Sequence, residues 1–222
     1  MPALPKTLLC ALSLCVAGVA ASAQVTGSAA SEARQIAANP TYSAALEAQQ
    51  SPEALLAEWD QKLAAAQSKT APEFARFLLL PSAAKAALEA GANGKAKSYA
   101  EEALAFPNSH PEQVRPPFNH IGDVVFYCNL VLGRLALLDG AIPSAEKYLL
   151  LAGSTEGSPV LDSFGPNMSL ARELLKRSRK EAVLQYLAEC QCFWELENGR
   201  LAKWSDEIER DVMPVFGSSL FY

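Results

Sequence analysis

A spacing of small and apolar residues recurs three times along the chain. A small residue is followed seven positions later by Gly or Ser, then five later by a small apolar residue, with apolar residues four and seven positions beyond it. This spacing is typical of two antiparallel helices that cross closely at small side chains and are joined by a tight turn. It predicts an all-α protein with about three helical hairpins. The copies are Ala84, Gly91, Ala96, Ala100 and Ala103; Gly133, Gly140, Ala145, Leu149 and Ala152; and Ala171, Ser178, Val183, Leu187 and Cys190.

Pro, Gly and N-cap residues divide the rest of the chain into capping helices and connections. We expect no β-strand, because the sequence is rich in Ala. In the last helix, Leu201, Trp204 and Ile208 share one face and are predicted to be buried. The predicted capping helices cover about 52–67, 72–80 and 201–210, the hairpins about 82–106, 123–151 and 167–196, and the irregular connections 107–117 and 153–166.

The first residues have the form of a secretory signal peptide. Lys6 precedes an apolar run from Leu8 to Ala20, and Ala21-Ser22-Ala23 fits the small-x-small rule for cleavage. The run is too short and too rich in Ala to serve as a stable membrane anchor. We therefore predict a signal peptide over 1–23, a flexible arm over 24–40, a single helical-repeat domain over 41–222, and a periplasmic or secreted location.

The charge balance argues against nucleic acid as a partner. The chain has 19 Lys and Arg against 24 Asp and Glu, which gives a formal charge of −5. Loss of Lys6 with the signal peptide leaves 18 − 24 = −6. Neutralising phosphates requires clustered Lys and Arg, and this acidic sequence has no basic block.

Three cysteines remain after cleavage, namely Cys128, Cys190 and Cys192. Cys190 and Cys192 are two positions apart on a predicted helix, so their side chains point apart and no bridge between them is expected. A bridge from Cys128 to either of them is compatible with an oxidising compartment. The alternative, which the burial habit of cysteine favours, is three thiols at helix contacts.

The second hairpin resembles the tetratricopeptide family. This resemblance implies a superhelix of helical hairpins, in which the first helix of each hairpin lines a concave groove. From about Asn119 onward the chain also resembles a group of uncharacterised bacterial proteins, and that resemblance implies no activity. The first resemblance is carried by Leu132-Gly133, Asp139-Gly140, Ala145, Leu149 and Ala152, and the second by 132–137, 157–168 and Pro214-x-Phe216-Gly217.

The tetratricopeptide register implies a basic row in the groove. The residue after each crossing residue is Lys85, Arg134 or Arg172. Such a row could hold a carboxylate or another anionic group, and the two arginines could bind it bidentately. The alternative is that these residues are solvated or paired within the protein. The acidic residues considered for such pairing are Asp123, Asp139 and Asp162.

Four further residues complete the candidate ligand-binding groove. Asn129 and Asn167 precede their crossing residues by one turn and would add amide hydrogen bonds. Tyr127 and Met168 would line the same wall. Asn167 is also a candidate N-cap for the third hairpin.

No motif in the sequence indicates catalysis or a bound metal. A zinc site needs three or four converging ligands, and neither His110 nor His120 has a partner three or four residues away that would make such a site on a single helix. The chain lacks a G-x-S-x-G elbow, an H-E-x-x-H pair, a P-loop and a dinucleotide-binding Gly-rich turn. A dyad of Cys128 with His120, and the carboxylates Glu189 and Glu195, have no motif to support them. We therefore expect no cofactor and no metal.

These observations favour an exported scaffold that binds a peptide, a protein or a cell-envelope component in a concave groove. Two other classes stay open: a small exported hydrolase with its site under the 153–166 connection, and a structural assembly subunit. Convergence of Asp162, His120 and Asn167 in a deep polar cavity would favour the hydrolase, whereas an open groove with the basic row would favour binding. The sequence does not indicate the oligomeric state.

Overall fold

The computed structural model describes residues 51–68, 70, 72–114 and 121–220. The predicted signal peptide, the predicted arm and residues 41–50 of the predicted domain lie outside this part of the chain. The described residues contain helices and no β-strand, so the all-α prediction is confirmed. The helices are α1 (Pro52–Ala66), α2 (Pro72–Glu89), α3 (Asn93–Ser109), α4 (Ile121–Leu138), α5 (Ile142–Gly153), α6 (Pro159–Phe164), α7 (Ser169–Leu175), α8 (Lys180–Cys190) and α9 (Arg200–Glu209).

Helices α2–α3, α4–α5 and α7–α8 form three consecutive hairpins with turns where the repeated spacing places them. Each turn contains one residue with positive φ, at Gly91 (+69°), Gly140 (+72°) and Ser178 (+58°). Glycine adopts this conformation readily, whereas a residue with a Cβ atom pays about 1–2 kcal/mol. In each turn the residue that follows donates its N–H to a carbonyl five positions earlier, which closes the helix end. These bonds join Ala92 to Ala87 (2.8 Å), Ala141 to Ala136 (2.8 Å) and Arg179 to Leu174 (3.0 Å).

Helix α2 is continuous, and the break predicted near Leu80 is wrong. Pro81 lies inside α2, where it removes one backbone hydrogen bond at a cost of about 3 kcal/mol. Phe77, Leu80 and Pro81 are nevertheless buried among neighbouring helices. Burial of one large apolar side chain contributes about 1.5–3 kcal/mol, so tertiary contacts offset the cost of the proline. Helix α3 likewise continues through Pro107.

The 153–166 connection, predicted as irregular, contains the short helix α6. Its start has a sequence signal, because Ser158 is followed by Pro159 at the first helical position. The Ser158 hydroxyl accepts a hydrogen bond from the backbone N–H of Leu161 at 3.0 Å. The third hairpin ends at Cys190 rather than near residue 196, and a 3₁₀ turn at Glu195–Glu197 separates it from α9.

Gly133 lies where α4 approaches two other helices. A Cβ atom placed there would be 2.4 Å from Leu170 Cδ2, 3.3 Å from Tyr148 Cβ and 3.5 Å from the carbonyl oxygen of Ala145. Only a residue without a side chain allows this approach without a shift of its neighbours. The predicted close crossing of Gly133 with Ala145 is confirmed, and the approach of α7 to the same point is an additional finding.

The buried side chains form two cores that meet on α4. The first core lies between α1, α2, α3 and one face of α4, and small side chains dominate it. The second core lies between another face of α4, the helices from α5 to α9 and the C-terminal tail. The first core contains Ala83, Ala84, Ala87, Ala96, Ala100 and Ala103, and the second contains Phe126, Tyr186, Phe193, Trp194, Trp204 and Phe216. Leu201 and Ile208 join Trp204 in the second core, as predicted for the last helix.

Helix α4 contributes a stripe of side chains to each core. Val124, Cys128 and Leu135 belong to the first core, whereas Phe126 and Leu130 belong to the second. Among the described residues, α4 is the one helix long and apolar enough to cross a membrane by length and composition. It is 61% buried inside the protein, and the core helix of a soluble protein passes the same test.

The three described cysteines are free thiols. Cys128 is buried in the first core and Cys190 in the second, and neither forms a disulfide. Cys192 is exposed. Burial raises the pKa of the Cys128 and Cys190 thiols far above the ordinary range, which keeps both protonated and unreactive at neutral pH.

Candidate functional site

A groove of about 280 Å³ lies between α2, α4 and the segment that leads into α7. We call it the α2–α4 groove. Helices α2 and α4 are the first helices of the first two hairpins, and each contributes one stripe of side chains at helical spacing. The lining residues are Pro81, Ser82, Lys85, Leu88 and Glu89 from α2, Tyr127, Leu130, Val131 and Arg134 from α4, and Asn167 and Ser169 from the third hairpin and its approach.

Four of the seven predicted site residues line this groove: Lys85, Tyr127, Arg134 and Asn167. Asn167 also positions its own backbone. Its Oδ1 accepts a hydrogen bond from the N–H of Ser169 at 2.9 Å, at the first residue of α7. The N-cap of α7 is Met168, which makes no side-chain capping hydrogen bond, so the prediction of Asn167 as the N-cap is wrong by one residue. The Nδ2 group of Asn167 makes no hydrogen bond within the described part of the chain.

Asn129 and Met168 lie away from the groove, contrary to the prediction. Asn129 is buried, and its Nδ2 donates to the carbonyl of Val125 at 2.7 Å. Met168 is fully buried in the second core. Helical geometry explains why Asn129 faces away from the groove. Asn129 and Arg134 are five positions apart, which places their side chains about 140° apart around the helix axis. Leu80, the equivalent residue of the first hairpin, faces the interior in the same way.

Arg172 is also outside the groove. Its Nε lies 3.7 Å from Glu173 Oε1, and its side chain is 39% exposed. The basic row predicted from the three crossing residues is therefore reduced to Lys85 and Arg134. Helix α7 has seven residues and begins only at Ser169, so the third hairpin brings its N-terminal end to the groove rather than a full helical stripe.

The two groove cations differ in their surroundings. Lys85 Nζ lies 3.8 Å from Glu89 Oε1, one turn further along the same helix. Arg134 is exposed and has no ion pair or hydrogen bond among the described residues, which agrees with the alternative of a solvated side chain and not with that of pairing to a nearby aspartate. The groove therefore has one balanced cation and one unbalanced cation.

Sequence reasoning missed seven lining residues. The signal that could have found several of them is the position two before each crossing residue, which is Ser82, Val131 and Ser169. Three residues separate this position from the residue after the crossing, so the two lie within about 60° on the helix. The missed residues are Pro81, Ser82, Leu88, Glu89, Leu130, Val131 and Ser169.

His110 has a structural role at the end of α3. Its ring stacks on Phe106 with centroids 4.4 Å apart, and its Nε2 lies 3.1 Å from Glu73 Oε2 on α2. The other histidine, His120, lies outside the described residues. Within the described ranges, no group of three or more His, Cys, Asp or Glu side chains could hold a metal ion.

The polar side chains of the 153–166 connection form hydrogen bonds that fix the connection to neighbouring segments. The Thr155 hydroxyl donates to the carbonyl of Gly122 at 3.1 Å, and the Ser158 hydroxyl donates to Asp123 at 2.5 Å. Asp162 Oδ1 accepts the backbone N–H of Glu195 at 3.0 Å. Asp162 and Asn167, two members of the set considered for a hydrolase, thus make hydrogen bonds with backbone groups.

Comparison of the chain with protein-family models, curated proteins and solved structures gives no match. Assignment of a function therefore rests on the geometry of the α2–α4 groove.

Proposed function

We propose that the chain is an exported helical-repeat scaffold that binds a peptide, a protein or a cell-envelope component in the α2–α4 groove. Three successive hairpins, with a close helix crossing at Gly133 in the second, support a tetratricopeptide-like arrangement, in which the first helices of neighbouring hairpins line a common surface. Helices α2 and α4 are two such first helices, and both supply groove residues. The N-terminal sequence supports cleavage after Ala23 and a periplasmic or secreted location.

The observation that carries this proposal is the environment of Arg134. The other arginines of the described residues have a carboxylate within 4 Å or, for Arg200, backbone carbonyls and the Trp194 ring as partners. Arg134 has none of these partners. A guanidinium can donate two parallel hydrogen bonds to one carboxylate, so Arg134 offers an anion site in a recess of an acidic protein.

The experiment replaces Arg134 with Gln and measures the partner recovered from a cell-envelope extract by the exported protein. Hydrogen bonds to a charged group contribute about 1.5–3 kcal/mol, so we expect recovery to fall by about tenfold or more. Higher salt should weaken recovery by the wild type, because part of the attraction is screened. The thermal midpoint of Arg134→Gln should match the wild type, since Arg134 is exposed.

The matched control is Arg210→Gln, which removes the same charge from the end of α9, outside the groove lining. Arg210 pairs with Asp206 on the protein surface. We expect this variant to recover as much partner as the wild type. Equal recovery by Arg134→Gln and the wild type would contradict binding at the groove.

Export is tested separately by N-terminal sequencing of the protein from its native compartment. We expect the mature chain to begin at Gln24, because the small-x-small motif directly follows the apolar run. Recovery of an intact Met1, or of a chain acylated at Cys15, would contradict the proposed soluble export.

A further inference from the structure

The polar groups that line the α2–α4 groove are mostly hydrogen-bond donors. Glu89 is the one carboxylate among the lining residues, and it already lies 3.8 Å from Lys85. The side-chain oxygen of Asn167 is occupied by the N–H of Ser169. The groups able to donate to a ligand are the Lys85 ammonium, the Arg134 guanidinium, the Asn167 Nδ2 amide and the hydroxyls of Ser82 and Ser169.

Apart from the hydroxyl of Tyr127, the remaining lining side chains are apolar. Leu88 extends the α2 wall, and Leu130 and Val131 form the α4 wall beside the ring of Tyr127. The ligand that complements this lining has an apolar body and a polar group that only accepts hydrogen bonds. An ionised carboxylate is such a group, because its oxygens accept and have no proton to donate.

From this lining we infer that the α2–α4 groove binds a compact amphiphile with one carboxylate, of the size of a medium-chain fatty acid. The inference rests on the proposed function and selects, among its ligand classes, a component of the cell envelope. The carboxylate lies against Arg134 and the acyl chain against Leu88, Leu130 and Val131. Lys85 stays paired with Glu89, so the groove carries one net positive charge for one negative ligand.

The donor excess favours this ligand over a peptide. Each peptide unit brings an N–H donor as well as a carbonyl acceptor, and donors buried without a partner are unfavourable. The lining side chains offer peptide N–H groups few acceptors, namely the hydroxyls of Ser82, Ser169 and Tyr127 and the Glu89 carboxylate beside Lys85. Its volume of about 280 Å³ lies near the lower end of small-molecule sites, which are about 300–1,000 Å³.

The test is calorimetric titration of the full exported chain with decanoate, and with decylamine as a ligand with the same chain and the opposite charge. Decanoate should bind the wild type with one site per chain. Arg134→Gln should weaken its Kd by about tenfold or more, as expected for loss of a charge-assisted hydrogen bond. Lys97→Gln is the charge-matched control, because Lys97 lies on α3 with its side chain 64% exposed. Leu88→Ala should weaken decanoate binding while leaving its salt dependence unchanged.

Equal Kd values for decanoate in Arg134→Gln and Lys97→Gln would overturn the inference, as would tighter binding of decylamine than of decanoate. Absence of decanoate binding, together with Arg134-dependent recovery of an envelope partner, would overturn the inference and leave the scaffold proposal standing. Absence of any Arg134 effect in either experiment would overturn both.

Discussion

The two cores of this protein are built from different side chains, and the difference determines what each tolerates. In the first core, six fully buried alanines let α2 and α3 approach closely, and the stacked rings of Phe77 and Phe106 lie beside them. In the second core, Trp194, Trp204 and Phe216 fill the space between shorter helices. The alanines of the first core have little to lose by truncation and no room for enlargement. The large rings of the second core lose most by truncation.

Two glycines lie against large side chains of the second core at positions where a Cβ atom does not fit. A Cβ atom at Gly165 would lie 2.2 Å from Trp194 Cε2, and Gly165 has a φ of +81°. A Cβ atom at Gly157 would lie 2.4 Å from Phe193 Cβ. The backbone of the connection around α6 therefore rests directly on the aromatic rings, and only glycine allows this contact.

Truncation of Trp204 gives the largest expected effect. Trp204 is 3% exposed and its ring lies 5.9 Å from Trp194 and 5.1 Å from Phe216. Replacing a buried Trp with Ala leaves a cavity and costs about 4 kcal/mol of unfolding free energy. Urea denaturation of Trp204→Ala measures this loss. The matched variant is Trp59→Ala on α1, where the ring is only half-buried beside the first core, and its loss should be clearly smaller. Equal losses would contradict the contribution assigned to Trp204 in the second core.

Enlargement of Ala100 should cost about 2 kcal/mol, because added methyl groups in a filled core force neighbouring helices apart. Ala100 on α3 is fully buried. The variant is Ala100→Leu, and the free energy of unfolding in urea is again the measurement. Ala105→Leu on the same helix is the control, since Ala105 is exposed and should change stability little. A wild-type stability for Ala100→Leu would mean that the first core has unfilled space.

The smallest effect concerns a carboxylate on α8, where burial raises the pKa of Glu189. Its Oε2 is buried without a hydrogen bond among the described residues, whereas Gln185 donates to Oε1 at 3.1 Å and partly opposes the rise. A folded-state pKa above the unfolded one means that the folded state holds this proton more tightly. Stability is therefore greatest below the unfolded pKa and falls as pH rises through the interval up to the raised folded value.

Glu189→Gln should remove this loss of stability with rising pH. Its thermal midpoint should exceed that of the wild type at neutral pH, and the difference should shrink towards about pH 3. The gain in unfolding free energy should stay below about 1 kcal/mol, because Glu189 is partly exposed. Glu156→Gln, which changes an exposed carboxylate, should show no such pH-dependent difference. A constant offset across pH would contradict the assignment to Glu189.

The sequence predicted the hairpins well because their determinants are local. Gly91, Gly140 and Ser178 turn the chain at the predicted places, and the spacing of small residues records the helix crossings. The continuity of α2 through Pro81 could not be predicted in the same way. The local cost of the proline is visible in the sequence, but the burial of Phe77 and Leu80 that offsets it depends on neighbouring helices.

The candidate site was only partly predicted, because local helical geometry places some of its residues and tertiary contacts place others. Lys85 and Arg134 follow crossing residues in long helices, and their direction follows from the helical repeat. The same helical periodicity could have excluded Asn129 from the predicted site, because Asn129 is on the opposite side of α4 from the groove. The position of Arg172 depends on where the seven-residue helix α7 begins and how it meets α4, which is decided by tertiary contacts.

Because α4 belongs to both cores, the opening of one end of the protein is coupled to the other. Repeat proteins often unfold one repeat at a time, since each repeat contacts only its neighbours. Here the separation of α1–α3 would expose the stripe of Val124, Cys128 and Leu135, and separation of the later helices would expose the stripe of Phe126 and Leu130. Partly opened states are therefore high in free energy. The amide protons of α4 should exchange with solvent only through global unfolding, which makes this helix the centre of cooperativity in the chain.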